Sequence, residues 1–411
     1  MKNRNLLILL FGQLLSQIGD KFYMLALSFW VLDVTGSPTY MGIALFCSFF
    51  PATVLGFFSG VIVDRYDRKN IIVITDLTRG IIVSLVVFLY YQQMLTIPVI
   101  LGIQIVLSIN TAFFNPAIPS FIPQIVAADQ LTRANSLTQL VRGISSVLGP
   151  VLGGMCVGFF GYAFVFIFNA LSYLISGILE MFIKVPTNKK QDSQKPAMVL
   201  QFKEGIRYVF KSVPLIIFLL IISLLHFFIG SIEAFFPVLA KEMAGNGPQN
   251  LGYLQTSLGV GIILSSVIIG WINFQKNESF ILFTAIFCIG IVYMIISIHF
   301  ELYSRFIYTI FFLFAVFGGI IILAGTCFRS ILQKTIPNQM AGRVFGVVGA
   351  VSDISIPLAM LIYGFLLSFF SSIILLFYTG LAMLIITPVL YLIYKKSNED
   401  NPALETEELL Q

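Results

Sequence analysis

Apolar runs broken by short polar stretches cover almost the whole chain, and they set its predicted architecture. Twelve runs reach the roughly 20 residues that a helix needs to cross about 30 Å of hydrocarbon. They fall near residues 5–31, 40–63, 71–91, 97–121, 136–160, 162–183, 215–240, 251–273, 280–300, 306–333, 344–369 and 371–394. Each run is continuously apolar, whereas barrel strands would alternate over about ten residues. The pattern therefore predicts an all-α membrane protein with twelve transmembrane helices. The first run carries Asp20 and Lys21 and lacks a short apolar core followed by a small-residue cleavage site, so it is expected to remain as helix 1.

Composition leads to the same class. The 411 residues are 58% hydrophobic and only 10% charged, with a mean hydropathy of +0.95, which makes lipid the main solvent. Cys47, Cys156, Cys288 and Cys327 all fall inside spans without metal-ligand spacing, and the histidines are His226 and His299. Neither a disulfide framework, a metal site nor a cofactor is expected. If the amino terminus is cytoplasmic, the cytoplasmic segments hold eighteen Lys and Arg while the opposite loops hold only Lys241 and Arg305. That asymmetry predicts a multi-pass plasma (inner) membrane protein with both termini in the cytoplasm. It also explains the net charge of +5, so no nucleic-acid partner is implied.

The hydrophobic pattern breaks between Lys184 and Val213, first with a polar run, Thr187–Pro196, then with an amphipathic stretch. In that stretch Phe202, Ile206, Val209 and Phe210 recur at helical spacing between Lys203, Glu204, Arg207 and Lys211, as expected of a helix on the inner membrane surface. The predicted domains are residues 1–185, a cytoplasmic linker at 186–213, residues 214–396 and a solvated acidic tail at 397–411. A weak repeat at an offset of about 210 residues aligns Gly42 with Gly252, Gly60 with Gly270 and Arg133 with Arg343. After Gly270 the second half has Phe274, Gln275 and Lys276 where the first has Asp64, Arg65 and Tyr66, so only one half carries a charged loop.

That loop places five charges in the six positions 64–69. Gly60, Asp64, Arg65, Arg68 and Lys69 form G-x-x-x-D-R-x-x-R-K, which resembles the signature loop between helices 2 and 3 of the major facilitator superfamily. The family pattern usually has glycine where this chain has Asp67. The resemblance implies a secondary transporter built as two six-helix pseudo-symmetric bundles, with substrate held between them near mid-membrane. Gly60 would let another helix approach, and Asp64 would pair with Arg68 near the positive end of a neighbouring helix, making the loop a conformational latch. The plainer reading is that its cations fix topology and meet lipid headgroups.

Gly143, Gly149, Pro150, Gly153 and Gly154 form G-x-x-x-x-x-G-P-x-x-G-G in helix 5, similar to a motif associated with antiporters of that superfamily, with Ser145 where the family usually has a further glycine. These residues are candidates for a hinge or sliding surface, against ordinary small-residue packing. Gly19-Asp20, Asp76 and Arg79, Phe114-Asn115-Pro116-Ala117, Ala134-Asn135-Ser136-Leu137 and Gly342-Arg343-Val344-Phe345 together resemble the twelve-helix drug exporters of the macrolide efflux and enterobactin exporter group.

Ionisable residues inside the spans are costly in hydrocarbon, which makes them the candidates for chemistry. Asp20, near the middle of helix 1, is the candidate for proton uptake, against permanent pairing with Arg142 or Arg79. Glu233 and Asp353 are candidates for a proton or a cationic drug group, against buried hydrogen-bonded carboxyls. Asp76 and Arg79 share a helix face at i, i+3 and are expected to pair. Arg142 calls for an interhelical partner or an anionic substrate group. Glu180 and Arg329 sit near helix ends and are expected to snorkel. The abundant phenylalanines are expected to face lipid or pack between helices. The expectation is therefore a monomeric, proton-coupled antiporter exporting amphipathic small molecules such as macrolide-like drugs, with substrate, protons and lipid as its partners. The alternatives are a lipid or lysolipid flippase, a siderophore exporter or a non-transport membrane scaffold. No nucleophile, base and orienting group converge, so an enzyme is not expected.

Overall fold

The computed structural model describes residues 3–185, 198–271, 277–303 and 307–400. The run Thr187–Pro196, the loop Phe274–Lys276, Arg305, the tail from 401 onward and the side chain of Phe202 lie outside the described residues. Every regular element among the described residues is helical: α1 (Arg4–Thr35), α2 (Pro38–Arg65), α3 (Arg68–Tyr91), α4 (Ile97–Ile125), α5 (Leu131–Met181), α6 (Met198–Lys211), α7 (Val213–Glu242), α8 (Gly247–Trp271), α9 (Glu278–Tyr303), α10 (Ile307–Thr335), α11 (Asn338–Leu366) and α12 (Ser372–Asp400), with one 3-10 turn at Ala128–Gln130.

Ten of these helical stretches are long and apolar enough to span a membrane. The longest, Ala128–Met181, holds two spans joined at Gly161, whose φ of 77° and ψ of 177° break the helix where the sequence predicts a boundary at 160–162. A positive φ there suits glycine, which has no Cβ to clash with its own backbone. α1 falls outside the ten because Gln13, Gln17, Asp20 and Lys21 dilute its apolar run, yet at 32 residues it is long enough to span. Among the described residues the total is twelve spans, six before α6 and six after it.

Local chemistry fixes the ends. Asn3 caps α1 by accepting from Leu6 N, and Gly36 closes it in the left-handed conformation at φ 63°. Pro38 and Pro98 occupy first-turn positions of α2 and α4, where a missing N–H costs nothing. Pro51 lies inside α2 and has no N–H to donate, and the neighbouring Ala52 N–H finds an acceptor in Ser108 Oγ of α4 at 2.9 Å.

The chain packs as two compact units: Met1–Ser193 with Ala234–Thr256 and Met360–Phe365, and Gln194–Glu233 with Ser257–Ala359 and Leu366–Gln411. In the first, α1 and α3 pack along α5, and α2 packs on α4. A core of Leu9, Ile72, Ala117, Phe121, Ile122 and Ala134 closes it near the start of α1. In the second, α9 lies between α10 and α12, with Tyr293 edge-on to Phe317 at 5.1 Å.

The apolar residues of the amphipathic helix α6 do not share one environment. Gly205, Tyr208 and Val209 are buried in the second unit, and Phe210, expected on the apolar face with Val209, is 64% exposed. Packing against protein, not lipid, sets the buried face: a Cβ at Gly205 would meet Arg343 O of α11 at 2.7 Å, and Glu204 Oε2 pairs with Arg343 Nη1 at 2.7 Å. Large exposed hydrophobics such as Phe88, Phe159, Phe164 and Phe312 line the outsides of the spans, as predicted.

Candidate functional site

The first unit holds a cluster of charged and polar side chains where an apolar interior would be expected. α3 supplies Asp76 and Arg79, 0% and 3% exposed. Their i, i+3 spacing brings Arg79 Nη1 to 3.3 Å from Asp76 Oδ1, as the sequence predicts. Arg79 Nη2 also donates to Thr111 Oγ1 of α4 at 3.1 Å. The guanidinium lies 4.4 Å from the Phe114 ring centroid and 5.4 Å from that of Tyr173, so aromatic faces take the place of water around it.

The arm of α5 after Gly161 presents Asn169, Ser172, Tyr173, Ser176 and Glu180 as one buried stripe at helical spacing. Tyr173 donates its hydroxyl to Asp20 Oδ1 of α1. Ser176 Oγ contacts Glu180 Oε1 at 3.4 Å, and Ser172 Oγ contacts Asn169 Oδ1 at 3.3 Å. Two glycines let α1 reach this stripe: a Cβ at Gly19 would collide with Ser172 and Asn169, and one at Gly12 would meet Ser176 Oγ at 2.8 Å. Gly80 on Leu174 and Gly177 on Leu77 bring α3 equally close.

Arg79 is the cation whose charge acts on Asp76, Asp20 and Glu180 together. Several buried atoms of the cluster have no hydrogen-bond partner: Asp76 Oδ2, Arg79 Nε, Asn169 Nδ2 and Glu180 Oε2. Three carboxyls thus share one guanidinium, with unfilled donor and acceptor positions between them. Asp20 sits at the cluster's partly exposed edge.

The partner of Asp20 is therefore Tyr173, with Arg79 beside it. Arg142 is exposed on the first arm of α5 and makes no ion pair or hydrogen bond among the described residues. Glu180 overturns the snorkelling expectation. It is 1% exposed, because its arm of α5 is covered by α1 and α3 up to its end. Its distance from the helix end suggests a snorkelling group, although its i, i+4 and i, i+7 relation to Ser176 and Tyr173 marks it as a member of the stripe. Glu233 is half-buried in α7, and Asp353 lies with its Oδ1 3.9 Å from His226 Nδ1, too far for a hydrogen bond; all three belong to the second unit. Arg329 of α10 is exposed and acts electrostatically on both His226 and Asp353.

In the charged loop, Arg68 Nη2 pairs with Asp64 Oδ1 at 2.9 Å, an exposed contact within one hairpin. Asp67, the departure from the family pattern, is the N-cap of α3: its Oδ1 accepts from Lys69 N at 2.8 Å and Asn70 N at 3.3 Å. Lys69 Nζ donates to Met181 O at the end of α5 at 2.7 Å, and Arg65 is exposed. Gly60 lies in α2 one turn before Asp64.

The helix 5 glycines divide by environment. Gly149 packs on the Lys21 side chain, and a Cβ at Gly153 would stand 3.0 Å from Phe22 Cα. One at Gly154 would stand 3.2 Å from Gly252 Cα and collide with Pro248 O of α8. Gly143 faces open space, so close packing is not what it provides. Pro150 cannot donate to the turn before it, and Thr256 Oγ1 of α8 donates to Val147 O in that turn at 3.0 Å. At the end of α1, Asp33 accepts from Tyr162 OH and, at 3.2 Å, from Lys241 Nζ of α7.

The Major Facilitator Superfamily profile matches residues 9–360. The chain belongs to that superfamily. It is a multi-pass membrane transporter and not an enzyme. It is 23% identical over 356 residues to macrolide efflux protein A of Streptococcus pyogenes, covering 85% of this chain and 86% of that protein. It is 25% identical over 370 residues to the MFS-type transporter YfiS of Bacillus subtilis, covering 87% and 85%. The fold is similar to that of the crystal structure of the nucleoside transporter NupG, with a TM-score of 0.74 at 13% identity over 96% of this chain and 99% of that one.

Proposed function

We propose that this transporter exports amphipathic small molecules, macrolide-like drugs among them, in exchange for protons entering the cell, and that the α1–α3–α5 cluster carries the coupling proton. The observation that carries the reading is the imbalance of three carboxyls, Asp20, Asp76 and Glu180, around the single guanidinium of Arg79, with Lys21 of α1 adding its charge at Asp20 alone. A carboxylate without its own cation in a low-dielectric interior is costly, and a bound proton removes that cost. Asp20 is the exchanging group because it lies at the partly exposed edge, with the Tyr173 hydroxyl to stabilise its charged form. Asp76 and Arg79 supply the fixed field against which it loads and unloads.

Export as the direction is supported by the name of the macrolide efflux relative and by the G-P-x-x-G-G run of α5. Exchange requires that the substrate path open to one side at a time, with residues 1–185 and 214–396 rocking against each other and both termini in the cytoplasm. The Gly60–Lys69 loop acts as the latch on the side where α1 begins.

The test uses purified protein in vesicles, a fluorescent amphipathic drug and an imposed pH gradient. Asp20→Asn is expected to abolish acceleration by the gradient while leaving drug counterflow at equal pH intact. If the gradient still accelerates transport in Asp20→Asn, the coupling role of that residue is lost; if no soluble drug moves in the parent protein, the export reading itself fails.

A further inference from the structure

α6 is joined to the membrane span α7 by Ser212 alone, with Ser212 N donating to Val209 O and Ile216 N to Ser212 O. It must therefore lie within a turn of the hydrocarbon boundary. At about 100° per residue, its Lys203, Arg207, Phe210 and Lys211 share one side, and Gly205, Tyr208 and Val209 share the opposite one. The second group is buried against the unit, and the first four are exposed. The neighbouring carboxylate, Glu204, is held by Arg343 at 2.7 Å. Lys203, Arg207 and Lys211 make no ion pair or hydrogen bond among the described residues. α6 thus turns three uncompensated cations and an aromatic ring toward the water-lipid boundary, with its other face fixed to α11.

We propose that this ridge binds the anionic phospholipid headgroups of the leaflet that α7 enters. Charge and depth select the occupant. Cations spaced one turn apart match a row of headgroup phosphates, and Phe210, beside the half-exposed Val213, sits where a ring enters the acyl boundary. The anchoring bears on transport because the Glu204–Arg343 pair and the contact of Gly205 with Arg343 O tie α6 to the first turns of α11.

Phe210→Trp in the full chain gives a fluorescence probe, the Trp30 and Trp271 background being measured in the parent protein. Vesicles contain equal parts of phosphatidylglycerol and phosphatidylcholine, with bromine carried by one lipid or the other. Brominated phosphatidylglycerol is expected to quench the probe about twofold more than brominated phosphatidylcholine. The preference should vanish in Lys203→Gln/Arg207→Gln/Lys211→Gln and weaken at about 0.5 M salt. Unchanged Trp30 and Trp271 spectra would show that the triple variant is folded. Equal quenching by both lipids with the cations present overturns the proposal. So does quenching by neither lipid until residues 401–411 are removed, which would assign the ridge to the chain's own acidic end.

Discussion

Arg79 serves Asp76 directly and Asp20 and Glu180 at longer range, so its removal should cost more than the loss of one ion pair. Arg79→Met is expected to destabilise the protein by about 3–5 kcal/mol, because uncompensated carboxylates stay buried. Asp76→Asn/Arg79→Met should recover only part of that, since Glu180 still lacks a cation and Asp20 keeps only the charge of Lys21. Thermal unfolding in detergent checks both, and full recovery in the double variant would mean that the other two carboxyls do not feel Arg79. At this scale the sequence was legible wherever spacing within one helix carried the information: Asp76 and Arg79 pair as their i, i+3 relation requires. The tie between Tyr173 and Asp20 spans 153 positions and is set by the crossing of α1 with α5, which no local pattern encodes. The stripe Asn169–Glu180 was legible in principle, since a polar row at helical spacing inside an apolar span is a buried face more often than a lipid-facing one.

Between helices, the glycines separate packing from permissiveness. Gly154→Ala would press a methyl against Gly252 and Pro248 O, which is expected to cost about 1–3 kcal/mol. Gly143→Ala, facing open space, is expected to be neutral or to stabilise by up to about 1 kcal/mol, because alanine is the better helix former. Gly161→Ala should cost about 1–2 kcal/mol through its positive φ, although nothing crowds it. Melting temperatures of the three variants in one detergent would rank them, and equal losses at 143 and 154 would refute the division. The sequence grouped Gly143 with the packing glycines because a motif records spacing and not what stands opposite. It also located the break in α5, since the apolar pattern pauses at Gly161. The contact of α6 with α11 was not legible for a related reason: Gly205 carries no hydrophobic signal, yet it is where the backbone of α11 approaches.

Across the whole molecule the weak repeat acquires a physical meaning in the first unit. Gly42 of α2 meets Gly364 of α11, where a Cβ on Gly42 would stand 2.8 Å from Gly364 Cα, and Gly154 of α5 meets Gly252 of α8. Gly42 and Gly252 are 210 positions apart, as are Gly154 and Gly364, so each crossing is the image of the other under the repeat. The sequence offered the first correspondence through the alignment of the halves. The second became visible only when the contacts did, because isolated glycines in a glycine-rich chain carry little information alone. Two equivalent crossings on rigid helices should loosen together, since a wedge at one tilts helices packed on those that form the other. Gly42→Leu places a side chain where only a backbone fits and is expected to part α2 from α11. The half-buried Cys156, two residues from Gly154, reports the distant crossing once Cys47, Cys288 and Cys327 are replaced by alanine. Its rate of reaction with a hydrophilic maleimide in detergent should rise about tenfold or more in Gly42→Leu, as expected if a wedge worth ~1.4 kcal/mol or more shifts a two-state equilibrium. An unchanged rate, with the wedge confirmed by loss of stability, would mean that the crossings move independently and that the repeat is a relic of sequence without a shared motion.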